Sequence, residues 1–351
     1  MKSHLRLLMF LLTILVACNE QHKDSSQNVE EQVTVPKEPK VDPKEELLKL
    51  VNLWSRFDSS GQILKTTASK PSEVVGREGT VIKINPSDLT TKSGNPLGKV
   101  IEVELKELTN QFDLLQSNTP TVSNGDLLVS GGAYYINLTS NGEPLKLKEN
   151  KKLKVQFPIK SDEEMQLFYG TRDSLEQLNW EEANESLKFP QETEAVAADE
   201  DVTEDFLING GLTYDTATEK AKENHRRLSK KLYEETGISK LGWINVDRFL
   251  KMKNRTNLTV QFNDSDSLSF VNTFVIFEDI NSVIQSFFIT GQNKENSFTI
   301  PIGSKVHVIS YSTKDETILA SSLKTVVKEN QKVTLPMKVV NEQELVSLMK
   351  K

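Results

Sequence analysis

Ile101, Val103 and Leu105 alternate with Glu102 and Glu104, a period of two that fits a strand with one wet face and does not fit a helix. Runs of this kind recur along the chain, divided by turn formers. Residues 80–84 precede Asn85-Pro86-Ser87-Asp88, and Ser93-Gly94-Asn95-Pro96 leads into the alternating strand. Residues 127–129, 133–138 and 153–157 are joined through Gly131-Gly132 and Asn141-Gly142, and 165–169 with 178–180 form a last pair. A second series occupies 258–262, 273–277, 283–289, 298–301, 305–311 and 333–336. Short strands at close spacing with turn signals between them predict sandwiches. The fold class expected is mainly β (α+β): two β-sandwich-like domains with a few helices.

Helical spacing appears in three places. Leu47, Leu48, Val51 and Trp54 would form one apolar stripe over 44–57. Thr216 and Glu219 have capping-box spacing and Gly237 suits a C-terminal stop, so a second helix is expected over about 216–235. A short amphipathic helix is expected over 342–349. Between Lys188 and Lys220 there is no basic residue, and Glu192, Glu194, Asp199, Glu200, Asp201, Glu204 and Asp205 make the stretch acidic. It reads as a solvated linker, since a calcium loop needs a glycine at its turn and has none here. The domain plan is therefore a signal segment (1–17), a disordered tether (18–42), a helix plus N-terminal sandwich-like domain (43–190), an acidic linker (191–213), a helix (214–240) and a C-terminal immunoglobulin-like β domain with a terminal helix (241–351).

The first residues place the chain. Lys2 and Arg6 precede an apolar run over 7–16, and Leu15-Val16-Ala17-Cys18 closes it. A basic start, a short apolar run and a small residue at the junction are the anatomy of a secretory signal peptide, and the run is too short for a permanent membrane span. Leu15 three before the cysteine and Ala17 directly before it resemble the bacterial lipobox. That resemblance implies that the Cys18 thiol takes a diacylglyceryl group and becomes the new N-terminus. It further implies palmitate-type acyl chains on Cys18 and a bacterial cell envelope. Two or three such chains anchor stably where one would not. Residues 19–42 carry no aromatic residue, leucine or isoleucine. They cannot bury enough to offset their entropy and read as a tether, spanning roughly 27 Å on average as a flexible coil.

Cys18 is the single cysteine of 351 residues, so no disulfide forms within one chain and stability must come from apolar cores. Removing residues 1–17 leaves 41 basic against 50 acidic residues. Nucleic acid and anionic headgroups need clustered Lys and Arg, which argues against both as partners. The basic face over 214–240 (Lys220, Lys222, Arg226, Arg227, Lys230, Lys231) lacks aromatics and reads as a solvated helix face.

Gly79 to Pro86, Gly94-Asn95-Pro96, residues 100–105 and the Asn124-Gly125 and Ser130-Gly131-Gly132-Ala133 turns together resemble the β domain shared by ankyrins and netrin receptors, over roughly 73–158. The resemblance implies protein interaction rather than catalysis. Some relatives carry a self-cleaving domain with a His-Phe-Ser-type site, and that tripeptide does not occur here. Residues 241–249 resemble a segment of uncharacterised Bacteroidota lipoproteins, implying the outer membrane. Asp173-Ser174-Leu175, Asp215-Thr216-Ala217 and Asp266-Ser267-Leu268 resemble the O-glycosylation tripeptide of that phylum.

Catalytic patterns are missing. After the signal segment, histidine occurs only at His22, His225 and His307, with no spacing for zinc. There is no Gly-x-Ser-x-Gly elbow and no phosphate loop. Neither a metal nor a cofactor is expected, and Cys18 is the one site residue, a lipidation site. Asp264 and Asp266 fit a calcium contact or a polar turn equally. Trp54, Trp180 and Trp243 fit core positions or a sugar-stacking platform. The expected function is a lipid-anchored envelope protein acting as a non-enzymatic interaction or structural module on an envelope or extracellular protein partner. The alternative is a carbohydrate-binding or glycoside-hydrolysing surface lipoprotein, which needs two facing carboxylates in a cleft beside an exposed tryptophan.

Overall fold

A computed structural model describes residues 43–58, 61–174, 176–190, 232–263, 268–289, 295–314 and 317–350. The fold is mainly β, 54% strand against 12% helix, as the alternation predicts. The signal segment, Cys18, the tether, Asp264, Asp266, His22, His225 and residues 191–231 lie outside the described residues.

Thirteen strands build the first half: β1 (Gly61–Thr67), β2 (Ser72–Val75), β3 (Val81–Ile84), β4 (Leu89–Thr91), β5 (Val100–Leu108), β6 (Val122–Ser123), β7 (Asp126–Ser140), β8 (Glu143–Leu147), β9 (Leu153–Gln156), β10 (Gln166–Arg172), β11 (Leu178–Glu182), β12 (Thr236–Ile238) and β13 (Gly242–Phe249). One sheet runs β1-β5-β7-β13-β10-β11, with β4, β6 and β8 attached; a second runs β12-β9-β3-β2. Ile101, Val103 and Leu105 of β5 bury their side chains against Ile82, Ile84 and Val155 of the facing sheet while Glu102 and Glu104 stay outside that core. The period of two thus becomes one core face, as it must where each strand packs on one side only.

Eight strands build the second half: β14 (Arg255–Phe262), β15 (Phe270–Phe277), β16 (Val283–Ile289), β17 (Asn296–Pro301), β18 (Lys305–Lys314), β19 (Thr317–Val326), β20 (Gln331–Leu335) and β21 (Lys338–Val340). They pair as β17-β14-β20 and β16-β15-β18-β19-β21. All eight residues of β15 are buried. Val271, Val275 and Phe277 fill the core between these two sheets. Phe270, Phe274 and Ile276 enter a third core instead, with Leu128 of β7, Phe168 of β10 and Trp180 of β11. A strand buried on both sides reads as a continuous apolar run, which is why Phe270-Val271-Asn272-Thr273-Phe274-Val275-Ile276-Phe277 shows little alternation.

Among the described residues three helices flank this shared core. Pro43 opens α1 (Pro43–Phe57), where a missing N–H costs no hydrogen bond. Leu47, Leu50, Leu53 and Phe57 are its buried residues, whereas Leu48 is 53% exposed. The apolar stripe is thus turned away from the expected Leu48, because the shared core receives the helix along the Leu50–Leu53 face. α2 (Gln111–Gln116) is capped by Asn110, whose Oδ1 accepts from Asp113 N at 3.1 Å. α3 (Glu342–Lys350) buries Leu345 and Met349. Its Asn341 and Glu344 cap each other reciprocally, at 2.9 and 2.8 Å, in the manner of a capping box.

The two sandwiches are real, but the domain boundary at 241 is not. Strand β13, assigned to the C-terminal domain, inserts between β7 and β10 of the first sheet, antiparallel to both. Of the helix expected to 235, in a segment reaching 240, only residues from 232 on are described, and they are not helical. Leu232 bridges Pro158, and Thr236–Ile238 pairs with β9. Sheet pairing decided what local spacing could not. Both sandwiches belong to one compact unit, Val41–Lys351.

The described residues on either side of 191–231 are hydrogen-bonded to each other. Glu234 N donates to Lys188 O at 2.9 Å, and Thr236 Oγ1 to Ser186 O at 3.1 Å. Because the two ends are already held together, replacing 191–231 with a short Gly-Ser linker should leave the thermal midpoint within a few degrees of the full chain. A drop beyond about 10 °C in calorimetry would show that this segment is needed for the fold.

Candidate functional site

A cleft of about 560 Å³ opens where the sandwiches meet. Its floor is the buried Leu127, Leu178, Ile284 and Phe298; Gln177, Asn179, Gln285 and Thr299 line it with amides and a hydroxyl. Asn179 holds one wall, its Oδ1 accepting from Asn124 N at 2.9 Å and its Nδ2 donating to Asn124 Oδ1 at 3.0 Å. Large exposed apolar side chains outside the cleft are spread over the fold, from Leu48 and Ile63 to Val326 and Val339.

Arg172 lines both this cleft and a smaller recess of about 190 Å³. Its guanidinium donates to Ser117 O, Asn118 O and Glu176 O at 2.8–3.0 Å. Burial lowers its pKa, against the opposing pull of Glu176 and Asp58. Glu176 sits in the left-handed region, φ 56°, a conformation that a non-glycine residue keeps only when its surroundings hold it.

The recess contains Trp243 together with the carboxylates Asp58 and Glu176, the combination that sugar chemistry would need. The indole is already engaged, however. Arg172 lies over it at 4.9 Å, Lys106 at 6.0 Å, and Tyr135 contacts it at 5.1 Å between ring centres. Lys106 is paired with Asp58. Trp180 is wholly buried, with Nε1 donating to Pro120 O at 2.7 Å. The side chain of Trp54 lies outside the described residues. His307 is buried in β18, and among the described residues no group of three His, Cys, Asp or Glu is placed to hold a metal.

Two buried carboxylates escaped the sequence reading. Glu107 accepts from Gln62 Nε2, Glu78 N and Thr80 N at 2.8–3.0 Å, tying the turn before β3 to β5. Asp247 is wholly buried in β13 beside an irregularity of the β13–β7 register. Asn245 Nδ2 donates to its Oδ2 at 2.5 Å, while its Oδ1 has no partner. Burial lifts its pKa to about 7, against the opposing pull of Ser130, Asn245 and the Gly131 amide. The polar residues Asn245 and Asp247 alternating with Ile244 and Val246 gave the one sequence signal, and alternation reads them as a wet face. That face is in fact covered.

No family model matches this chain, and no curated protein matches it.

Proposed function

We propose that the protein is a lipid-anchored protein of the bacterial cell envelope, at the outer membrane, acting as a non-enzymatic interaction or structural module for an envelope or extracellular protein. The anchor rests on Leu15-Val16-Ala17-Cys18, and the observation that supports a docking role is the cleft between the sandwiches, with its apolar floor and amide walls. A floor of buried aliphatic and aromatic carbon beneath a hydrogen-bonding rim suits an extended partner segment. No helix among the described residues is long and apolar enough to cross a membrane.

Labelling with radioactive palmitate tests the anchor. The parent protein should incorporate label and enter the detergent phase, and Cys18→Ser should incorporate none while keeping its β-sheet circular dichroism. Label retained by the serine variant would sink the reading. In-cell cross-linking from Asn179 or Thr299 should then capture one protein partner, with capture lost when the cleft is blocked.

The alternative of carbohydrate binding or hydrolysis is favoured by the recess that brings Trp243 and two carboxylates together. The cations lying over the ring count against it, because a sugar stacks on an indole only where a face is open.

A further inference from the structure

We infer that Asp247 is the proton-sensitive member of a latch that holds the two sandwiches in one arrangement. Hydrogen bonds at the turn between β15 and β16 clasp the seam, those of Ser130 and Thr121 among them. The turn between β15 and β16 reaches into the first sandwich, where Ser130 N donates to Asn281 O at 2.8 Å and Asn281 Nδ2 donates back to Ser130 O at 2.9 Å. Beside it Thr121 N donates to Val283 O at 2.8 Å, and Val283 N to Thr121 Oγ1 at 2.9 Å. Ser130 is also the residue that pairs with Asp247 across β7 and β13, and its Oγ donates to Asn245 Oδ1. One residue thus touches the clasp on one side and the buried acid pair on the other.

Asp247 can be ionised there only at a cost, since burial outweighs the donors around it and no cation faces it. Its own strand contributes Arg248, which is turned to Glu163 at 2.7 Å. Strand β10 places Gln166 opposite it. Strand β7 contributes Tyr134, whose pKa burial holds well above 10, helped by Glu107, Tyr233, Asp247 and Glu78. The clasping turn carries Glu278 and Asp279, paired with Lys324 and Lys305 of the second sandwich. No cation among these groups faces Asp247. A bare carboxylate in such a place gains by reaching water, and release of Ser130 from Asn281 loosens the residue that pairs with it across the ladder. Below neutral pH the acid holds its proton and the latch stays shut; above it the seam is weakened.

Amide hydrogen exchange, corrected for the intrinsic pH dependence, tests this. The Ser130, Thr121 and Val283 amides should exchange through an opening of lower free energy than that seen by Val275 and Val308 in the middle of the second sandwich. Where the opened seam returns Asp247 from about 7 to its ordinary 3.8, protection of the three seam amides should fall on the order of 30-fold between pH 5.5 and 8.5. In Asp247→Asn it should stay flat. Seam amides as protected as Val275 and Val308, seam protection that ignores pH, or a slope that survives in Asp247→Asn would each overturn the latch. The pH series on the unmodified protein stands on its own if the variant does not fold.

Discussion

Asp247→Asn should leave stability near pH 4 almost unchanged and raise it at pH 8 by as much as about 4 kcal/mol. In the folded chain the carboxyl titrates at about 7 against a model-compound value of 3.8. Below the lower value both states hold the proton, and the native state keeps all the stability this group allows. Between the two values the unfolded chain has released a proton that the native chain retains, so raising the pH favours unfolding, by up to about 1.4 kcal/mol per pH unit. Above about 7 both states are ionised and the whole burial cost stands. An amide has the shape of the protonated acid, can accept from Asn245 Nδ2 as Oδ2 does, and cannot ionise. Urea denaturation of both proteins at pH 4, 6 and 8 measures the difference directly. A constant offset across pH would show that Asp247 does not carry the effect.

Asp247 also marks where sequence reasoning stops. Strands β1, β2, β4, β8 and β19 escaped the sequence reading, whereas strands such as β3, β5 and β9 were legible because one face lies in a core and one outside it, and period two reports that asymmetry. The β5 residues Ile101, Val103 and Leu105 show it plainly. What alternation does not report is a third core. Once the second sandwich covers β13, Asn245 and Asp247 cease to face water, though their local pattern is that of any half-wet strand. The same core turned α1 so that Leu50 and Leu53 are buried and Leu48 is not. It also reads as continuous apolar sequence in β15. The return of the chain into the first sheet at β13 was illegible for a different reason. Pairing partners separated by more than a hundred residues, such as Tyr135 and Trp243, leave no trace in local spacing. Glu107 was hidden likewise: its three donors come from Gln62, Glu78 and Thr80, far from it in the chain. Arg172 could be found only through the carbonyls and the indole it meets.

Trp180→Ala should cost about 3–5 kcal/mol, the range for removing a buried aromatic from a packed core. The indole is wholly buried where the two sandwiches share a core, and its loss also leaves Pro120 O without its 2.7 Å donor. Gly170 explains why this ring fits. A Cβ there would sit 2.7 Å from Trp180 Cζ3, 2.8 Å from Trp243 Cβ and 2.9 Å from Leu178 Cδ1, so the absence of a side chain makes room for the indole on the neighbouring strand. Gly170→Ala should therefore cost about 1–3 kcal/mol by overpacking. The two losses should not add. With the indole gone, one of the three clashes disappears and the new methyl occupies part of the space, so the double variant should be more stable than the sum predicts by about 0.5–3 kcal/mol. Guanidinium denaturation of the four proteins closes the cycle. Strict additivity would mean that Gly170 is there for Trp243 and Leu178 alone, and that the indole of Trp180 could be reshaped without regard to the strand beside it.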